Sequence, residues 1–149
     1  MSVTQLSVFV QNKRGRIAEL LSVLADRGIS VFGFSLSEVS DYGIVRLLPE
    51  DGFGALGMLE KAGFTVVANP VVSVALDDRA GSLADVVGLL ASSEVDMDYL
   101  YLSARRTAVI KVDDPAAVEN LLTGAGFVVL TDQSPATPGA PTDHGDRQS

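Results

Sequence analysis

Residues 78–100 read DRAGSLADVVGLLASSEVDMDYL, and residues 12–34 read NKRGRIAELLSVLADRGISVFGF. At an offset of 66, Gly15 falls on Gly81, Ile17 on Leu83, Leu20 on Val86, Leu21 on Val87 and Leu24 on Leu90. The register extends outward on both sides. Val8 meets Val74, Val10 meets Leu76, Ile29 meets Val95 and Val31 meets Met97. After a one-residue gap Ile44 meets Val109 and Arg46 meets Lys111. After two more, EKAGFTVV (60–67) meets TGAGFVVL (123–130). A fixed period of this kind decides architecture ahead of any local propensity. The chain is a duplication of a unit of about 65 residues.

Each copy spells the same series of elements. Residues 5–10 and 71–76 are apolar and β-branched, hence strands. Ile17, Leu20, Leu21 and Leu24 keep the i, i+3, i+4, i+7 spacing of an amphipathic helix, as do Leu83, Val86, Val87 and Leu90. Gly28 stands where a glycine ends the first of these helices. Alternating residues at 29–38 and 43–48, and at 95–103 and 108–112, predict two strands in each copy. SDYG (40–43) and ARRT (104–107) are the turns between them. Second helices carry Ala55, Met58, Leu59 and Ala62, and Val118, Leu121, Leu122 and Ala125. Asp113-Asp114-Pro115 starts the later of the two, with proline inside the first turn. Gly63 and Gly126 close them, and strands at 64–68 and 127–131 complete βαββαβ.

That order is the ferredoxin-like split βαβ, an α+β fold whose antiparallel four-stranded sheet carries both helices on one face. The expected organisation is unit one at 1–69, unit two at 70–132 and a disordered tail at 133–149, rich in Pro, Ser, Thr and Gly. So small a unit buries little apolar surface alone, so pairing of units and a homodimer are expected.

Composition removes whole classes of function. The net charge is −8 over 149 residues, a poor basis for nucleic-acid binding, which draws on basic side chains. There is no cysteine, and the single histidine, His144, lies in the tail. Thiolate and histidine chemistry is therefore absent from the folded part, and no metal or cofactor is expected. No apolar run approaches a membrane span and no basic n-region leads an apolar one, so neither a membrane nor secretion is expected. The expected location is the cytoplasm.

The residues that invite chemistry sit at the two strand-to-helix turns, NKRGRI (12–17) and DRAGSL (78–83). A glycine there admits close approach to the backbone, and the amides and dipole of a helix start favour a carboxylate or phosphate. A well-formed turn that binds nothing is the plain alternative. DRAGSLADVVGLLASSEVDMDYL resembles the signature of the ACT domain: Asp-Arg-Pro-Gly-x-Leu, a helix, then Val-Asn-Ile on the second strand. NKRGRIAELLSVLADRGISVFGF is a more divergent copy, so the resemblance covers both repeats, about residues 3–131.

The resemblance implies a regulatory module that binds a free amino acid at an interface between ACT units. It places the ligand-holding loop at Asn12, Arg14, Gly15, Arg16 and Ile17 in the first unit, and at Asp78, Ala80, Gly81, Ser82 and Leu83 in the second. The family proline is replaced by Arg14 and Ala80, which leaves both loops less stiff. The family asparagine becomes Ser30 and Asp96. A hydroxyl can bond either end of an amino acid, whereas an ionised carboxylate accepts only and suits an ammonium. Charge divides likewise. Residues 1–69 hold six Lys/Arg and seven Asp/Glu, net −1, and residues 70–132 hold four and ten, net −6. Arg14 and Arg16 favour a ligand carboxylate, and Asp77, Asp78, Asp96 and Asp98 an amine, unless these are solvated rim charges.

Tyr99 and Tyr101, with Arg105 and Arg106 beyond them, could suggest an RNA-stacking sheet, but that copy is the acidic one and interface packing suits the rings better. A phosphate-cleaving βαββαβ enzyme would need a partner for Arg14 or Arg16 that the sequence does not supply. The expectation is a non-enzymatic tandem ACT protein that senses an amino acid and acts in trans on an enzyme or regulator. A structural assembly module without a ligand is the alternative.

Overall fold

The structure is a computed structural model that describes residues 2–11, 13–39 and 41–132. Asn12, Ser40 and the segment 133–149, including the expected tail and His144, lie outside the described residues. The chain divides into two compact units, Thr4–Val71 and, among the described residues, 72–132 together with 2–3.

The first unit runs β1 (Val3–Gln11), α1 (Arg16–Ala25), β2 (Val31–Val39), β3 (Tyr42–Pro49), α2 (Gly52–Lys61) and the opening stretch of β4 (Thr65–Ala75). Its strand order is β2-β3-β1-β4. β1 and β2 both pair β3 antiparallel, with Val8 and Leu36 each opposite Val45. Alternation on these strands sends one side chain in two toward the helices. Leu6, Val8, Val10, Val45 and Leu47 therefore meet Leu20 and Leu24 of α1 and Ala55 and Leu59 of α2 in one core.

The second unit repeats the pattern with the end of β4, α3 (Ser82–Ser92), β5 (Tyr99–Leu102), β6 (Thr107–Lys111), α4 (Pro115–Gly124) and β7 (Val129–Leu130). β4 pairs β6 and β7, and β5 pairs β6, all antiparallel. Val72, Val74, Ala108 and Ile110 face Val86, Leu90, Val118 and Leu122. Thr107 and Val109, on the opposite face of β6, are buried as well. Both units are thus βαββαβ, an α+β ferredoxin-like pair.

Element limits shift in three places. The strands expected at 64–68 and 71–76 are one strand, β4, that passes through Pro70. The strand expected at 95–103 shrinks to Tyr99–Leu102, because Asp96, Met97 and Asp98 form an exposed approach tied by the Asp98 N–H to the Lys111 carbonyl at 2.9 Å. Val39 pairs with Tyr42, so the second strand of the first hairpin starts one residue before the expected residue 43. All four helices end alike. Glycines at positive φ follow α1, α2 and α4 (Gly28, Gly63 and Gly126), and Glu94 at φ 58° follows α3. Each next residue donates back into the last turn, as Ile29 N–H does to Leu24 O at 3.0 Å and Val95 N–H to Leu90 O at 2.9 Å.

Candidate functional site at the strand-to-helix mouths

The two mouths are built to the same backbone plan. Gly15 precedes α1 at φ 90° and Gly81 precedes α3 at φ 91°, a region that side-chain-bearing L-residues avoid. A glycine cap has no side chain, so the amides at these helix starts receive no side-chain cap. α2 and α4 differ. Asp51 accepts from Gly54 N–H at 3.0 Å, and Asp114 accepts from Ala117 N–H at 3.2 Å. Among the described residues, the helices that follow the first strand of each unit are the ones whose starts have no side-chain cap.

The side chains around the mouths differ between copies. In the first, Arg16 turns along the helix, donating through Nη1 to Glu19 Oε2 at 3.1 Å, with its guanidinium 4.3 Å from the centre of the Phe64 ring. Lys13 and Arg14 are exposed and form no ion pair among the described residues. Ile17 packs against the core. In the second, Ser82 is buried and its hydroxyl oxygen accepts from the Asp77 N–H at 2.8 Å, locking the turn. Arg79 donates to Asp85 Oδ2 at 2.7 Å and lies 3.5 Å from Asp77 Oδ2. The Asp85 hydrogen bond, then its charge, raises the Arg79 pKa above the ordinary arginine value. A raised basic pKa contributes stability below the arginine's unfolded value and loses it only as pH climbs through the folded one, so neutral pH leaves this pair unchanged. Asp78 stands 4.0 Å from Arg106, Ala80 is exposed, and Leu83 packs against the second core.

Ser30 and Asp96 lie elsewhere. Each first helix runs back along its sheet, so a ten-residue helix such as α1 carries the chain about 15 Å from its own mouth. Ser30 exchanges bonds with Glu50 there: Glu50 N–H to Ser30 O at 2.8 Å and Ser30 N–H to Glu50 Oε1 at 3.3 Å. Asp96 precedes the Asp98–Lys111 contact, whereas the Gly81 mouth adjoins Arg106, whose carbonyl accepts from Leu76 N–H at 3.0 Å. Within a unit the structure brings the loop residues together and leaves Ser30 and Asp96 at the other end.

Residues absent from the sequence reading also shape the mouths. Glu19 and Asp85 occupy equivalent positions at the offset of 66, and each holds an arginine that comes from a different place in its copy. The repeat register already carried that signal. Phe64 beneath Arg16 had none, since it reads as core and is 5% exposed. Among the described residues no three His, Cys, Asp or Glu side chains could hold a metal, and no helix is long and apolar enough to cross a membrane.

Similarity to known proteins follows the same lines. Protein BT0572 from Bacteroides thetaiotaomicron is 30% identical, over 87% of this chain and 92% of its own, with a TM-score of 0.79. The ligand-free regulatory subunit of aspartate kinase from Thermus thermophilus is 20% identical, over 83% of this chain and 91% of its own, at a TM-score of 0.59. Its counterpart from Thermus flavus is 20% identical, over 84% and 93%, at 0.56. At this identity the two subunits show a shared fold. No curated protein matches the chain. The family model that does match, described as an ACT domain pair, spans residues 1–131, and the chain belongs to that family.

Proposed function

We propose that this chain is a non-catalytic regulatory protein that binds a free amino acid at a strand-to-helix mouth and modulates a partner in trans. The observation that carries the reading is selective capping. The two helices that follow the first strands start from left-handed glycines with no side-chain cap, while the other two starts are capped by aspartates. Uncapped amides at a helix start suit a carboxylate, which every free amino acid carries. The first mouth is the better placed, because Lys13 and Arg14 are unpaired among the described residues, whereas Arg79 is engaged by two aspartates. The TM-scores to two aspartate kinase regulatory subunits support a regulatory role. Such a module acts on a partner only if the ligand favours one of two states.

A thermal-shift screen of the twenty amino acids tests the reading. A ligand at 100 times its Kd adds about 2.7 kcal/mol. Gly15→Val should abolish the shift if the first mouth is the site. No shift with any amino acid at millimolar concentration overturns the sensor reading and leaves the assembly module. Phe34 and Leu36, 40% and 44% exposed on the edge strand β2, are the feature in favour of that second reading.

A further inference from the structure

The duplication has a counterpart in empty space. Beside the first mouth lies a cleft of about 320 Å³ lined by Phe9, Gln11, Arg16, Tyr42 and Thr65. Beside the second lies one of about 310 Å³ that includes Ala75, Asp77, Ser82 and Val128. Carried across the repeat, these are the same places. Phe9 corresponds to Ala75, Gln11 to Asp77, Arg16 to Ser82 and Thr65 to Val128. Gly63 and Gly126, which also correspond, form the back of each cleft at φ 92° and 97°. The volume and backbone are kept while the chemistry has diverged.

The first cleft is lined by two aromatic rings, Phe9 and Tyr42, and by the Arg16 guanidinium. Phe9 and Tyr42 are 41% and 58% exposed and lie on neighbouring strands β1 and β3. Arg16 uses one nitrogen on Glu19, which leaves further donors of its fork for a carboxylate. Gln11 and Thr65 add polar groups to the lining. The second cleft has Ser82 in place of Arg16 and Ala75 in place of Phe9, and the arginine that lines it, Arg79, is already held by Asp85 and Asp77. Its aspartate at 77 repels a carboxylate, and the Ser82 hydroxyl is already engaged by the Asp77 N–H.

We infer that the first cleft is a specificity pocket for an amino acid with an aromatic side chain, one molecule per chain, and that the second cleft does not take it. The inference rests on the sensor reading and adds the ligand class and stoichiometry. The rings stack on Phe9 and Tyr42, while the carboxylate lies between Arg16 and the first mouth.

Titration calorimetry of the full chain with L-phenylalanine, L-tyrosine, L-leucine, L-aspartate and glycine tests it. An aromatic amino acid should bind tightest, at one per chain. Phe9→Ala and Tyr42→Ala should each weaken it about fivefold, the usual scale of an aromatic pair. Val128→Ala, in the second cleft, should leave affinity unchanged. Tighter binding of L-aspartate or glycine, two sites per chain, or affinity indifferent to both ring deletions overturns the inference and leaves the sensor reading standing. Failure of every amino acid overturns both.

Discussion

Glu94 is the residue that departs from the pattern around it. Three of the four helices hand over to glycine at positive φ, and the fourth hands over to glutamate at φ 58°. A left-handed conformation costs an L-residue roughly 1–2 kcal/mol that glycine does not bear. The repeat aligns Glu94 with Gly28, so the same turn tolerates glycine elsewhere in this molecule. Glu94→Gly should therefore stabilise the second unit by about 1 kcal/mol, part of the gain being offset by glycine's freer unfolded state. Urea denaturation reads this directly, and an unchanged or lower midpoint refutes it. The turn bond Val95 N–H to Leu90 O, 2.9 Å, is a backbone bond and survives the substitution.

At the scale of elements, the helix starts carry the argument. Asp51 and Asp114 each satisfy one first-turn amide, and removal of such a cap costs about 1 kcal/mol. A Cβ at Gly54 would meet the capping Asp51 carboxylate, which would have to swing aside, so cap and glycine fit together. Asp51→Ala and Asp114→Ala should each lower stability by that amount without altering ligand binding. A change in ligand affinity on either substitution would tie α2 or α4 to the site. Much of this level was legible beforehand. Ile17–Leu24 and Leu83–Leu90 read as helices because one face must be apolar, and the glycines read as turns because glycine takes a left-handed backbone most freely. The limits of β4 and β5 were not. Apolar content at 64–76 does not say whether two strands or one cross Pro70. The alternation at 95–103 likewise does not reveal that Asp96–Asp98 stays outside the ladder. The placement of Ser30 and Asp96 follows from element order once the return direction of each helix is considered. The partners of Arg16, in contrast, depend on packing that no spacing encodes.

For the whole molecule, the question is what the remaining apolar surface meets. The face of β6 turned away from its helices is buried, so that strand gives no reason to expect a second copy. Edge strand β2 gives one. It is nine residues long, carries exposed Phe34 and Leu36, and pairs on one side with β3. Long apolar edges recruit another strand unless they are blunted. We expect a homodimer that sedimentation equilibrium will detect, and that Leu36→Lys will dissociate. A monomer mass independent of concentration contradicts it.

Gly15 and Gly81 have a bearing on descent as well. Their left-handed backbone demands glycine whether or not anything binds, so selection for folding alone preserves the mouth in a copy that has lost its ligand. Glycine at these positions is therefore no sign of occupancy in a relative.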